Sequence, residues 1–249
     1  MQFRDYQTFY RLRRKRNNSP ADYFEFEAFQ AELLVQYLKQ RGVLNNGCLT
    51  LDLGCGLGGY IAALQKSGAR VIGVDFNPPH NVASAPFAIA DALRVPFPND
   101  YFDLVICTNL IEHIPDPAEL LREIYRVLKR NGVAYVSYPP YYSPKGGHQF
   151  SPFHLFGERF ALWAARRRGL FKREKWLQEK FPTNPSSFAE AYGTWGLYKL
   201  TIARIQKEIR QMPFEMLERS TRWLPIDFSG IPLLGELLTV HVQFLLRKK

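Results

Sequence analysis

The sequence predicts a single doubly wound α/β domain built on a parallel sheet, and three features carry that prediction. Five short, continuous apolar runs, residues 48–53, 70–75, 87–91, 102–108 and 133–138, have the length and unbroken hydrophobicity of strands buried on both faces. The first runs straight into a glycine-rich turn and a helical stretch, LDLGCGLGGY at residues 51–60, which is the strand, loop and helix unit that repeats in such folds. At 249 residues the chain is long enough for one large domain and too short for two of full size, so whatever lies outside the sheet is an insertion or an extension of it.

Residues 1–46 divide into a basic leader and a covering helix. Ser19-Pro20 with Asp22 has the pattern of a helix start, and Phe26, Phe29, Leu33 and Tyr37 then repeat at helical spacing until Gly42. Residues 47–140 are the sheet core. Within it the helix after the glycine turn runs from about Gly59 to Ser67 and stops at Gly68. Asp116-Pro117 with Glu119 starts another, since Asp can cap and Pro suits the first turn. Its buried face is Leu120, Leu121, Ile124, Val127 and Leu128, and Asn131-Gly132 stops it. Pro139-Pro140 closes the fifth strand. Residues 141–195 are aromatic, basic and broken by proline, without strand alternation; they read as an inserted lid whose best helical piece sets Phe156, Phe160, Trp163 and Ala164 on one face. Residues 196–249 supply a helix from about Leu197 to Gln211 and two strands, 214–220 and 236–247, the last alternating Thr239, His241 and Gln243 with Val240, Val242 and Phe244.

Cys48, Cys55 and Cys107 are odd in number and sit in or beside apolar runs, which predicts buried thiols in a reducing compartment and indicates neither a disulfide nor a metal site. No apolar run reaches the roughly 18 residues of a membrane span, and MQFRDYQTFYRLRRKR lacks the apolar stretch of a signal peptide; a cytoplasmic protein is expected. The net charge of +10 is concentrated in residues 1–20 and 141–181, with the rest close to neutral. Such local basicity suits an acidic partner, among them an anionic membrane surface at which the protein is peripheral.

The chemistry centres on the glycine turn, where the backbone can come close to a ligand beneath the unpaired N–H groups of a helix start. The glycines alone leave the ligand open. Gly54, Gly56 and Gly59 also satisfy the dinucleotide pattern G-x-G-x-x-G, and Asp75 lies 21 residues beyond Gly54, where a nicotinamide-dependent reductase keeps a ribose-binding acid. Asp52 weighs against that reading, because a carboxylate inside the strand is costly unless it meets a cationic ligand. So does the lack of a separate substrate domain. Residues 48–140 resemble the class I S-adenosylmethionine-dependent methyltransferases, in particular the type 11 family that includes ubiquinone and menaquinone methyltransferases. LDLGCGLGG, VIGVDFNP, DALRVPFPNDYFDLV and LIEHIPDP with LREIYRVLKRNG are similar to that family's successive motifs, in the same order.

The resemblance implies a Rossmann-like seven-stranded sheet with the last strand antiparallel, and S-adenosylmethionine as cofactor. It implies that Asp52 and the loop Gly54, Cys55, Gly56, Gly58 surround the methionine part. Asp75, followed by Phe76, would accept from both ribose hydroxyls, Asp91 and Ala92 would read the adenine edge, and Thr108 and Asn109 would face the sulfonium. One departure stands out: only residues 76–86, with Pro78-Pro79 among them, separate the second strand from the third, so the usual helix there is shortened or missing.

For a hydroxyl acceptor, methyl transfer is helped by a base. GGHQFSPFHLFGER in the insertion offers His148 and His154 for that role, whereas His113 reads as a helix-start residue. Arg166, Arg167, Arg168, Lys172, Arg173 and Lys175, interleaved with Trp163, Phe171 and Trp176, suit a phosphate, and aromatic platforms suit sugar faces. O-methylation of a small, glycan or lipid-linked acceptor is therefore the expected activity, beside methylation of a quinone or other small molecule. A noncatalytic cofactor-binding protein and an NAD-dependent reductase are the readings from other classes. Nucleic acid is not expected as a partner: Tyr138-Pro139-Pro140-Tyr141 begins with the wrong residue and follows the wrong strand for an amino-directed nucleic-acid methyltransferase.

Overall fold

A computed structural model of the chain describes residues 3–77, 85–169, 185–191 and 196–249. Pro78, Pro79, Phe171, Lys172, Arg173, Lys175 and Trp176 thus lie outside the described residues.

Five parallel strands, β1 (Leu49–Leu53), β2 (Arg70–Asp75), β3 (Phe87–Ile89), β4 (Phe102–Thr108) and β5 (Leu128–Tyr138), are joined by β6 (Phe214–Thr221) and β7 (Val242–Lys248) in the order β3-β2-β1-β4-β5-β7-β6. β7 runs antiparallel to both β5 and β6. The alternation of side chains along each strand feeds two cores. Val71, Leu104, Ile106, Tyr135 and Leu245 pack under α2 (Pro20–Gln40) and α3 (Gly59–Lys66). Leu53, Val105, Cys107, Val136 and Phe244 pack under α4 (Pro117–Val127) and α6 (Ile202–Arg210).

The basic leader is itself a helix, α1 (Phe3–Lys15). It docks through buried Leu12 and through Phe9, whose ring lies 5.4 Å from Phe26 and 4.9 Å from Trp223. α2 begins as its sequence requires, with Ser19 Oγ accepting from the Asp22 N–H and Pro20 in the first turn. Its buried stripe is Phe26, Gln30, Ala31, Leu34 and Leu38, turned from the expected Phe29, Leu33 and Tyr37, which lie at its margin. The turn has a cause in α3: a Cβ on Gly59 would lie 2.5 Å from Glu27 Cβ and 2.8 Å from the Ala28 nitrogen, so the two helices touch backbone to backbone there. Gly59→Ala is expected to cost about 2–3 kcal/mol by overpacking, read as a lower denaturant midpoint at unchanged slope; native-like stability would mean that α2 is free to move away.

Three expected boundaries move. β5 begins at Leu128 and not at residue 133, because α4 stops at Val127 and its last turn is closed by Lys248, whose Nζ donates to the carbonyls of Tyr125 and Leu128 and to Asp100. A cation there offsets the negative end of the helix. The helix expected from Leu197 begins at Ile202, with Thr201 as its cap. The strand expected over 236–247 is instead a short helix, α7 (Leu234–Leu238), followed by β7. Glu236 is drawn off the strand path to accept from the N–H groups of Ile202 and Ala203 at the start of α6.

The insertion after β5 holds α5 (Glu158–Arg167). Phe160 and Trp163 of this helix face solvent at 42 and 52 % exposure, as does Phe156 at 73 %; Phe156 lies in the 3₁₀ turn Phe153–Phe156 that Gly157 separates from α5, and Ala164, expected on the aromatic face, is buried. Ala161, Leu162 and Ala165 face inward against Phe150, Phe188, Ala191 and Leu197, since the smaller residues allow the closer approach.

Candidate active site

The carboxyl ends of β1, β2 and β4 converge on the glycine turn. Gly54 (φ +78) and Gly56 (φ +55) adopt the left-handed conformation that side chains resist, and this folds the loop back so that the N–H groups of Gly54 and Cys55 both donate to the Val74 carbonyl of β2. Asp75, the last residue of β2, accepts from the Gly56 N–H at 2.9 Å with one oxygen and from the Asn77 N–H at 3.1 Å with the other. Gly58 (φ +88) caps α3.

Asp52 is 1 % exposed, and its Oδ2 has no hydrogen-bond partner among the described residues. Burial first, then the neighbouring carboxylates of Glu27 and Asp75, hold its pKa well above the ordinary carboxylate range. Glu27 comes from α2 and reaches the loop, 3.3 Å from the place a Cβ on Gly56 would take. Three carboxylates thus surround one turn. Such an arrangement favours a cationic ligand over a diphosphate beside the glycine turn. Cys55 and Cys107 are buried near it, and burial pushes both thiols up, away from thiolate chemistry.

Around this centre, Phe76 is half exposed, Asp91 is exposed and accepts from the Leu93 N–H, and Ala92 is buried. Thr108 is buried at the end of β4; Asn109 follows at φ +53, its Oδ1 2.9 Å from His241 Nε2. Burial, with Arg222 and His148 nearby, holds the His241 imidazole well below its usual pKa.

Beyond Asn109 lies a group that the residue pattern did not single out. A 3₁₀ turn, Ile111–His113, buries Glu112 and His113, and the insertion places His148 against them. His148 Nε2 is 3.6 Å from Glu112 Oε1, and the two imidazole rings are 5.0 Å apart. Burial pushes the Glu112 carboxyl up to about 7 and the His113 imidazole down to about 4. The second histidine of the insertion, His154, stands elsewhere: it is 1 % exposed, its Nε2 donates to the Tyr141 carbonyl at 2.7 Å, and its ring fills the space above Gly147.

A seven-stranded sheet in this order, with an acid-ringed glycine turn at its carboxyl edge, defines the class I methyltransferase fold. The comparisons with known proteins agree. Residues 51–136 match a family described as a methyltransferase domain. An uncharacterized methyltransferase of Mycobacterium leprae (strain Br4923) is 32 % identical over 222 residues, covering 86 % of this chain and 77 % of its own. Among solved structures, the 1,6-didemethyltoxoflavin-N1-methyltransferase of Burkholderia thailandensis, bound to S-adenosylhomocysteine, matches at a TM-score of 0.53 and 15 % identity over 90 % of this chain and 78 % of its own. An S-adenosylmethionine-dependent methyltransferase of Mesorhizobium loti matches at 0.53 and 18 % over 86 % and 98 %; both likenesses concern the fold. The chain belongs to this methyltransferase family and is an S-adenosylmethionine-dependent enzyme.

The residues present fit that cofactor. The unpartnered buried oxygen of Asp52 suits a cationic group, and the paired oxygens of Asp75 suit the ribose hydroxyls. No helix among the described residues is long and apolar enough to cross a membrane.

Proposed function

We propose that the enzyme O-methylates a glycan or lipid-linked acceptor, presented to it at an anionic membrane surface. The observation that carries this reading is the outward row of aromatics on α5 and the turn before it. Phe160 and Trp163 are exposed on a helix that buries its alanines, Phe156 is exposed in the turn just before it, and the Arg167 guanidinium lies 5.7 Å from the Trp163 ring. Exposed rings of this kind suit a sugar face or an acyl boundary, and adjacent arginines suit the phosphate that joins the two. The insertion leaves the sheet at the carboxyl end of β5, the edge on which the glycine turn also lies.

S-adenosylmethionine supplies, when bound, a methyl group on a positively charged sulfur. Asp52, Gly54, Cys55, Gly56, Gly58, Asp75, Phe76, Asp91, Ala92, Thr108 and Asn109 are the residues proposed to hold it. On the acceptor side the hydroxyl proton has to leave, and His148 is the group of the histidine and carboxylate cluster that solvent reaches, at 22 % side-chain exposure against 2 % for Glu112. His154, tied to the Tyr141 carbonyl, supports the turn that carries His148.

The test is transfer of labelled methyl to lipid-linked glycans in anionic vesicles, compared with soluble hydroxylated acceptors. Replacing Phe156 and Trp163 together by Ala is expected to lower turnover of the vesicle-borne acceptor by about tenfold or more, on the scale of one or two lost aromatic contacts, with cofactor affinity unchanged. Turnover that ignores these changes, or that prefers a free quinone or small phenol, would replace this substrate class.

A further inference from the structure

We infer that Glu112, His113 and His148 form a binding site for one divalent transition-metal ion on the acceptor side of the cofactor pocket. The donor set is two imidazoles and a carboxylate, the combination that suits zinc, manganese or ferrous iron better than magnesium. One ligand atom from each of the three residues lies within 4.8 Å of the other two, with Glu112 Oε1 and His148 Nε2 already at 3.6 Å. Ligand atoms around one such ion stand about 3 Å apart, so side-chain adjustments of about 1–2 Å close the shell.

Two further observations point to an ion. Glu112 is 2 % exposed, yet neither of its carboxylate oxygens accepts a hydrogen bond from any described residue, and a buried carboxylate without a cation or donors is costly. His113 Nδ1 lies 2.6 Å from the Gly196 carbonyl. A carbonyl oxygen only accepts, so Nδ1 carries the proton and the neutral ring turns the lone pair of Nε2 the other way. A hydrogen bond from one ring nitrogen to a backbone carbonyl is the usual support of a metal-bound histidine. His148 itself adopts a left-handed φ of +49, which histidine tolerates better than most side chains. The three residues come from the end of β4 and from the insertion, so the ion would tie the lid to the sheet beside Asn109.

The consequence for the acceptor deepens the reading given above and rests on it. An ion here with one position open would bind the acceptor hydroxyl and lower its pKa; His148 then serves as ligand, and the proton passes to solvent. Metal binding itself depends only on the cluster, so the two ideas fail separately.

Full-length protein stripped with a chelator is titrated with zinc, manganese, cobalt and magnesium by calorimetry, and cobalt is followed by its visible absorption. One equivalent of zinc or cobalt is expected at micromolar affinity or tighter, with magnesium much weaker. Glu112→Gln, which keeps the side chain's shape, should weaken zinc binding at least tenfold, and His148→Ala should abolish the cobalt spectrum. S-adenosylmethionine affinity serves as the check that each variant folds. If no transition metal binds stoichiometrically, or if binding survives both changes, the site is overturned; His148 then stands as a base, and O-methylation is judged by the acceptor assay alone.

Discussion

Asp52→Asn is expected to melt at a higher temperature than the native chain when no cofactor is present and to bind S-adenosylmethionine about 30-fold more weakly or worse, the worth of a charged hydrogen bond of roughly 2 kcal/mol. Burial, Glu27 and Asp75 raise the folded-state pKa of this carboxyl above its unfolded value of about 4. Between those two values the folded chain holds a proton that the unfolded chain has released, so stability falls as pH rises through that window. The amide has no such slope. Thermal melts from acid to neutral pH would therefore diverge, native below variant, with the gap widening as pH rises until the folded pKa is passed. A variant that melts lower at neutral pH and binds cofactor normally would make Asp52 a structural carboxylate.

Loss of cofactor binding by more than 100-fold is expected for Asp75→Ala, which removes an anchor of the glycine turn along with the oxygen pair proposed to accept from the ribose. Asp75→Asn separates the two roles. Its one amide oxygen can still receive the Gly56 N–H, so amide hydrogen exchange at Gly56 should stay slow, while the second acceptor is gone and binding should remain poor. In the same calorimeter NADH should give no heat with the native chain, because Asp52 and Glu27 at the glycine turn would face its diphosphate. Native affinity in Asp75→Ala would move the ribose site elsewhere.

How much of this was legible in the sequence depended on whether the signal was local. β2 and β4 lie where the apolar runs place them, and the caps at Ser19 and Asp116 are made by the residues that such caps prefer. The positions of Asp52 and Asp75 were readable because Asp52 stands two residues before the first glycine and Asp75 ends the next apolar run. Glu27 was not, since nothing in a covering helix says which of its acids will touch a loop formed 30 residues later. Nor was the pairing of Glu112 and His113 with His148: the ligands are separated by a helix and a strand, and no short metal-binding spacing exists to find. The strand expected over 236–247 failed for a similar reason, as the demand on Glu236 comes from the start of α6. The aromatics at 156, 160 and 163 and the alanines of α5 share helical spacing in the sequence, and neither shows that Gly157 separates Phe156 from the helix nor which side the partner surface covers.

β7 is made after β6 and lies between β6 and β5 in the sheet. While the chain emerges from the ribosome, β6 therefore has no neighbour to pair with, and β5 presents an open, wholly apolar edge over residues 133–136. The parallel strands and the glycine turn are complete in sequence by then, so the cofactor pocket is assembled from parts that exist well before the sheet is sealed. Closure waits on a non-local insertion, the slow kind of step. A nascent chain that has reached Thr221 is in the state most exposed to mispairing with its neighbours on the same message.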